Sequence, residues 1–229
     1  MLTLNDLYIR QGSFELRSDL TIQRGGRIAV IGPSGAGKST LLGAIAGFVP
    51  CQGSIHCNDL DLTTLPTAER KLSMIFQDNN LFPHMTATQN IGVGLRPNLR
   101  LSGDEKDMVA GALDRVGLTG MGDRKPSQLS GGQQSRVALA RTLVQKNPLI
   151  LLDEPFAALG PALRDEMLDL VDELAEELGA TLLMVTHTPQ DAVRIADGVI
   201  VVADGQAHAP IPTSDFIANP PAALKDYLT

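Results

Sequence analysis

The chain has 229 residues, 43% of them apolar, and its 19 basic against 26 acidic side chains leave a net charge of −7. That length fits one or two domains with a proper core, and the acidic balance argues against an electrostatic grip on nucleic acid, which needs a basic face. Two Tyr, six Phe and no Trp disfavour recognition by stacking, while Cys51 and Cys57 alone make no disulfide scaffold and suit a reducing compartment.

Residues 1–11 carry Asp6 early and lack the apolar core of a signal peptide. No segment reaches the ~18 apolar residues of a membrane span, and the stretch 41–51 is broken by Gly43, Gly47 and Pro50. An apolar run at 28–31 stops at Gly32, and 38–46 has helix-compatible composition, so this region reads as strand, glycine loop, helix. His56 near the two cysteines offers too few ligands for a metal cluster, and both cysteines are expected in or near a strand.

From 78 to 128 strand-like runs thin out and 105–116 has helical spacing, which predicts a small helical subdomain inserted into an α/β core. A further helix runs to about Lys146, where Asn147-Pro148 ends it. The runs 149–152 and 182–185 are apolar without alternation, as in strands buried on both faces of a parallel sheet. Residues 161–178 form an amphipathic helix with Met167, Leu170, Val171, Leu174 and Leu178 on one face. Its acids, Asp165, Asp169, Asp172, Glu173 and Glu176, lie mostly off that face and are expected to be solvated. The run 199–202 with Asp204-Gly205 predicts a final hairpin. Residues 206–229, with four prolines, are too short for another domain, so 1–229 reads as one domain with a short tail.

Three segments carry chemistry. Gly32-Pro33-Ser34-Gly35-Ala36-Gly37-Lys38-Ser39 matches G-x-x-x-x-G-K-[ST], and Thr40 follows it into the helix. Its glycines let backbone N–H groups converge on one anion, and the helix N-terminus adds positive charge. Lys38 supplies a point charge for β/γ-phosphates and the Ser39 hydroxyl suits Mg²⁺. Chance gives roughly 0.006 such matches in a chain of this composition. Asp153 and Glu154 close the second segment, at the end of a buried strand, the edge that faces phosphates in such folds. There Asp153 would hold Mg²⁺ and Glu154 would take a proton from an attacking water. The third segment, Ser130-Gly131-Gly132-Gln133, opens a helix as a second anion nest, a pattern that also makes an ordinary cap. Two such loops suggest either two nucleotides or one shared between two chains.

The order GPSGAGKST, Gln77, LSGGQ, LLDEP and His187 resembles the ATP-binding subunit of ABC transporters, over about residues 2–205. The resemblance implies a P-loop NTPase core of mainly parallel sheet, with an N-terminal antiparallel β portion and an inserted helical subdomain. It implies two ATP and Mg²⁺ held in a head-to-tail dimer, with Ser130, Gly131, Gly132 and Gln133 touching ATP on the other subunit. It also implies that His187 meets the γ-phosphate and that Gln77 reaches Mg²⁺ and the attacking water. Residues 79–85 would line a groove for a helix of the membrane permease, which an external binding protein serves. Such a subunit sits peripherally on the cytoplasmic face of the membrane and binds no nucleic acid. An aromatic near the N-terminus stacks on adenine in this family; Tyr8 is the first candidate and Phe14 its rival.

Phe76 to Phe82, Gln89 to Leu95 and Leu183 to His187 resemble the ATPase subunit of bacterial thiamine importers. A different small-solute importer, for polyamine, iron or sulfate, has the same chemistry, and a non-transport ABC ATPase fits less well. The chain has no room for the large regulatory domain of sugar-importer ATPases. It also departs from the family after LLDEP, reading Ala157-Ala158-Leu159-Gly160 where S-A-L-D is usual. Glycine there is expected to open left-handed conformations and leave the loop mobile.

Overall fold

The computed structural model describes residues 1–220. Two long strands, β1 (Leu2–Gln11) and β2 (Phe14–Ile22), form an antiparallel hairpin with strict alternation of buried and exposed residues on β2. β3 (Arg27–Ile31) leads through the glycine loop into α1 (Lys38–Ala46). β4 (Gln52–Cys57) and the short β5 (Leu60–Asp61) extend the antiparallel portion from the free edge of β1. Cys57 is buried in that portion and Cys51 half-buried, while His56 faces Asp61 at 4.0 Å.

After β6 (Ser73–Ile75) no strand forms until β7 (Leu149–Asp153). Between them lie α2 (Ala87–Gly92), α3 (Gly103–Arg115) and α4 (Gly131–Gln145), each opened by a Thr or Ser cap in a reciprocal capping box with Gln or Glu. These three helices pack on one another around Ile91, Val109, Leu113 and Val137. The remaining elements are α5 (Pro161–Leu178), β8 (Thr181–Val185), α6 (Pro189–Ile195), β9 (Gly198–Ala203), β10 (Gln206–Ala207), β11 (Ile211–Pro212) and α7 (Thr213–Ala218).

Among the described residues, eleven strands make one sheet in the order β5-β4-β1-β2-β10-β9-β3-β8-β7-β6, with β11 on β9. From β9 to β6 the neighbours are parallel. Period-two geometry explains the unalternating runs. Leu149, Leu151, Leu183 and Val185 point into the core shared with α1 and the antiparallel strands. Ile150, Leu152, Leu182 and Met184 point the other way, into the core under α4 and α5.

The acids expected on the solvated face of α5 are exposed there, apart from the half-buried Asp172. Arginines meet three acids of the helix: Arg27 pairs with Asp172 at 2.9 Å, Arg136 with Glu166 at 2.6 Å and Arg194 with Asp169 at 2.6 Å. Arginines approach from neighbouring elements because the helix carries acids on both flanks of its buried stripe; each such pair is worth ~0–1 kcal/mol. The segment after 205 is part of the fold, not only a tail. α7 lays the fully buried Phe216 against Ala29, Ile31, Val199 and Val201, covering a face of β3 and β9. The remainder of that expected tail, 221–229, lies outside the described residues.

Candidate functional site

The parallel strands β3, β6, β7 and β8 all end at the same edge of the sheet, where α/β folds bind ligands. The three loop glycines are there for different reasons. A Cβ on Gly32 would overlap the carbonyl of Val202 on β9, so this position is fixed by close backbone packing. Gly35 is left-handed at φ 77 with open space around it. Gly37 is left-handed at φ 105 and has the Phe14 ring against it. A side chain at the last two would strain the backbone that aims the N–H groups at one point.

Lys38 is buried and folds back over the loop, donating to the carbonyls of Gly32 and Pro33 at 2.9 Å each. Burial lowers its pKa, opposed by the nearby charges of Glu154 and Asp153. Ser39 Oγ donates to Asp153 Oδ1 at 2.9 Å. Burial raises the Asp153 pKa, and Glu154 adds to this, while Ser39 and Lys38 pull it down. Two hard oxygens side by side, one on a carboxylate that burial penalises, make a donor set suited to Mg²⁺.

Glu154 is left-handed at φ 47, uncommon for a residue with a side chain. That turn takes the chain out of β7, with the Glu154 N–H donating to the Val185 carbonyl of β8 at 3.2 Å. Its Oε2 lies 3.4 Å from His187 Nδ1. Gln77 is exposed two residues beyond β6, beside the end of β7. Behind it Asn79 and Asn80 are both left-handed, and Arg141 of α4 donates to their carbonyls at 3.1 and 3.0 Å. The sequence reading missed Arg141; nothing in its spacing betrays a contact made across the helical layer.

At the start of α4, Ser130 Oγ accepts from the Gln133 N–H at 3.3 Å and Gln133 returns the bond to the Ser130 N–H at 3.0 Å. Gly132 is buried against Leu163 of α5, whereas Gly131 is exposed with nothing near its missing Cβ.

The chain matches the ABC transporter family over residues 17–157. It is 58% identical to the thiamine import ATP-binding protein ThiQ of Cereibacter sphaeroides, over 100% of this chain and 99% of that protein. The chain belongs to the ABC transporter family. A protein of the same name from Ruegeria sp. is 57% identical over the same shares. The ATP-binding cassette MJ0796, in a dimeric post-hydrolysis state bound to ADP and Pi, superposes with a TM-score of 0.81 at 30% identity, covering 93% of this chain and 99% of that one. The α/β core with an antiparallel portion is therefore an ABC ATPase fold, one that binds ATP. Among the described residues of this ABC subunit no helix is long and apolar enough to cross a membrane.

One expectation changes here. Phe14, not Tyr8, is the aromatic against the phosphate loop. Tyr8 instead pairs across the sheet with Arg17 and Gln52, its ring 4.6 Å under the Arg17 guanidinium. The hairpin brings the start of β2 back over Gly37, a tertiary fold-back that counting along β1 does not reveal. Gly160 is extended at φ −67, the conformation favoured before Pro161, and caps α5 with no side-chain bond.

Proposed function

We propose that this chain is the ATP-hydrolysing subunit of a thiamine importer, working as a head-to-tail pair that drives a membrane permease. The observation that carries the chemistry is the Glu154–His187 contact at 3.4 Å beside the Ser39–Asp153 bond, at the shared end of β7 and β8. Lys38, already aimed along the loop with Thr40 and the backbone of Ser34 to Gly37, would turn from its carbonyl partners to β/γ-phosphate oxygens. Ser39 and Asp153, with Gln77, would hold Mg²⁺, which when bound offsets phosphate charge. Glu154 takes the proton of the attacking water, and His187 orients that carboxylate and the γ-phosphate.

Phe14 takes the adenine-stacking role. Ser130, Gly131, Gly132 and Gln133 act on the nucleotide of the partner copy; the open space at Gly131 supports this, since no internal packing requires that glycine. Residues 1–229 form one ATPase unit whose helical insert, 78–128, carries the permease contact. An exposed apolar groove supports that contact: Phe48, Phe76, Phe82, Met85 and Val93 line it, with Phe48 55% and Phe82 43% exposed. The subunit is thus peripheral on the cytoplasmic face, and the external binding protein acts on it only through the permease.

The test is the Glu154→Gln protein. ATP binding should persist while turnover falls by ~10²–10⁴, the usual worth of a positioned base; wild-type turnover would overturn the assignment. Substrate is tested by ATPase stimulation in liposomes holding the subunit, its co-purifying permease and a binding protein loaded with thiamine. Stimulation by sulfate, polyamine or iron in its place would assign a different importer.

A further inference from the structure

His187 has exposed surface over 45% of its side chain, yet the backbone on both sides of it is bolted down. Thr186 Oγ1 donates to Asp191 Oδ2 at 2.6 Å and accepts the Thr188 N–H at 3.0 Å. Arg164 of α5 reaches across to the same group: one guanidinium nitrogen donates to Thr188 Oγ1 at 2.7 Å and to the Asp191 carboxylate. Thr186 and Asp191 are 3% and 5% exposed, so the network lies beneath the Glu154–His187 contact, lining the same small cavity.

Folding alone gives little reason for this arrangement. A buried ion pair is often no more stabilising than apolar residues of the same volume. Here Arg164 Nε is also buried without a hydrogen-bond partner, a further cost. What the network does provide is a single geometry for two loops. Arg164 lies in the first turn of α5, its N–H donating to the Gly160 carbonyl at 2.9 Å, at the end of the segment that follows Glu154. Asp191 and the two threonines belong to the segment that follows β8 and carries His187. A single side chain therefore links the loops bearing the two groups, and misplacement by ~1 Å can cost ~10²-fold in rate.

We propose that Arg164 is a positioning residue that fixes His187 relative to Glu154 through Thr188, Thr186 and Asp191. The proposal rests on the role given above to His187. Its guanidinium meets Thr186, Thr188 and Asp191, so it acts through the histidine loop.

Steady-state ATP hydrolysis by the full chain tests this in wild type, Arg164→Met, His187→Ala and the double variant. Arg164→Met should lower kcat ~10-fold with KM for ATP within about twofold of wild type, because only interactions realised in the transition state are lost. Arg164→Lys, which keeps the charge beside Asp191, should recover part of the loss. On the His187→Ala background Arg164→Met should cost less than about twofold, since residues acting as a unit are non-additive. A full additional loss on that background would overturn the proposal while leaving the role of His187 intact. An unaffected His187→Ala protein would overturn both. Should Arg164→Met fail to fold, Thr188→Val removes only the hydroxyl link; it must show the same dependence on His187, and an independent loss counts against the proposal.

Discussion

Leu163 of α5 fills the space where Gly132 would carry a Cβ, while its neighbour Gly131 faces open space. Packing inside the fold thus requires a glycine at 132 but places no such demand on its neighbour at 131.

That difference predicts a split. Gly132→Ala should overpack the α4–α5 contact and cost ~1–3 kcal/mol, a drop of several degrees in melting temperature. Gly131→Ala should leave the melting temperature almost unchanged yet impair ATP-dependent pairing and turnover, because the added methyl stands where the partner's nucleotide would approach. Equal melting temperatures for the two variants would refute the packing argument.

Asp153 has a stability consequence. Its pKa is raised in the folded chain, chiefly by burial, so the ionised form is disfavoured by folding. That penalty is full above the raised value and vanishes below the ordinary carboxylate range. Asp153→Asn, which keeps an acceptor for Ser39, should therefore melt higher than wild type near pH 7 without nucleotide or metal. The advantage should shrink as the pH falls and disappear only below about pH 4, the ordinary Asp value. Thermal melts across pH measure it; a less stable Asn variant at neutral pH would contradict the burial argument.

For the base, Phe14→Ala should weaken ATP binding by ~5–150-fold, the range expected from ~1–3 kcal/mol of stacking. Tyr8→Ala should leave it within about twofold, since that ring is occupied by Arg17. Calorimetric titration with ATP separates the two, and the reverse order would return the role to Tyr8.

Much of this molecule is legible in its sequence because the decisive signals are local. Helices α1 and α5 begin and end where composition places them, Lys38–Ala46 and Pro161–Leu178, since a glycine turn and a Gly-Pro start punctuate them. The runs at β7 and β8 read as doubly buried strands for a reason that needs no partner. What escapes is set by tertiary approach: Phe14 over Gly37, Arg141 on the Asn79–Asn80 turn, Arg164 on Asp191, and Phe216 under the sheet. None of these leaves a periodicity or a spacing to count.

The central claim is that each ATP is worked on by two chains, the Lys38 loop of one and the Ser130 helix start of the other. Mixing Lys38→Ala with Ser130→Arg protein tests it most directly. Either variant alone pairs into dimers in which both sites carry a defect, and turnover should be near background. In a mixed dimer one site gathers both defects and the other has neither. ATP turnover should therefore rise on mixing, to as much as about a quarter of wild type if pairing is random and sites act independently. No rise above the two variants measured separately, with mixed dimers present by mass, would contradict the shared site.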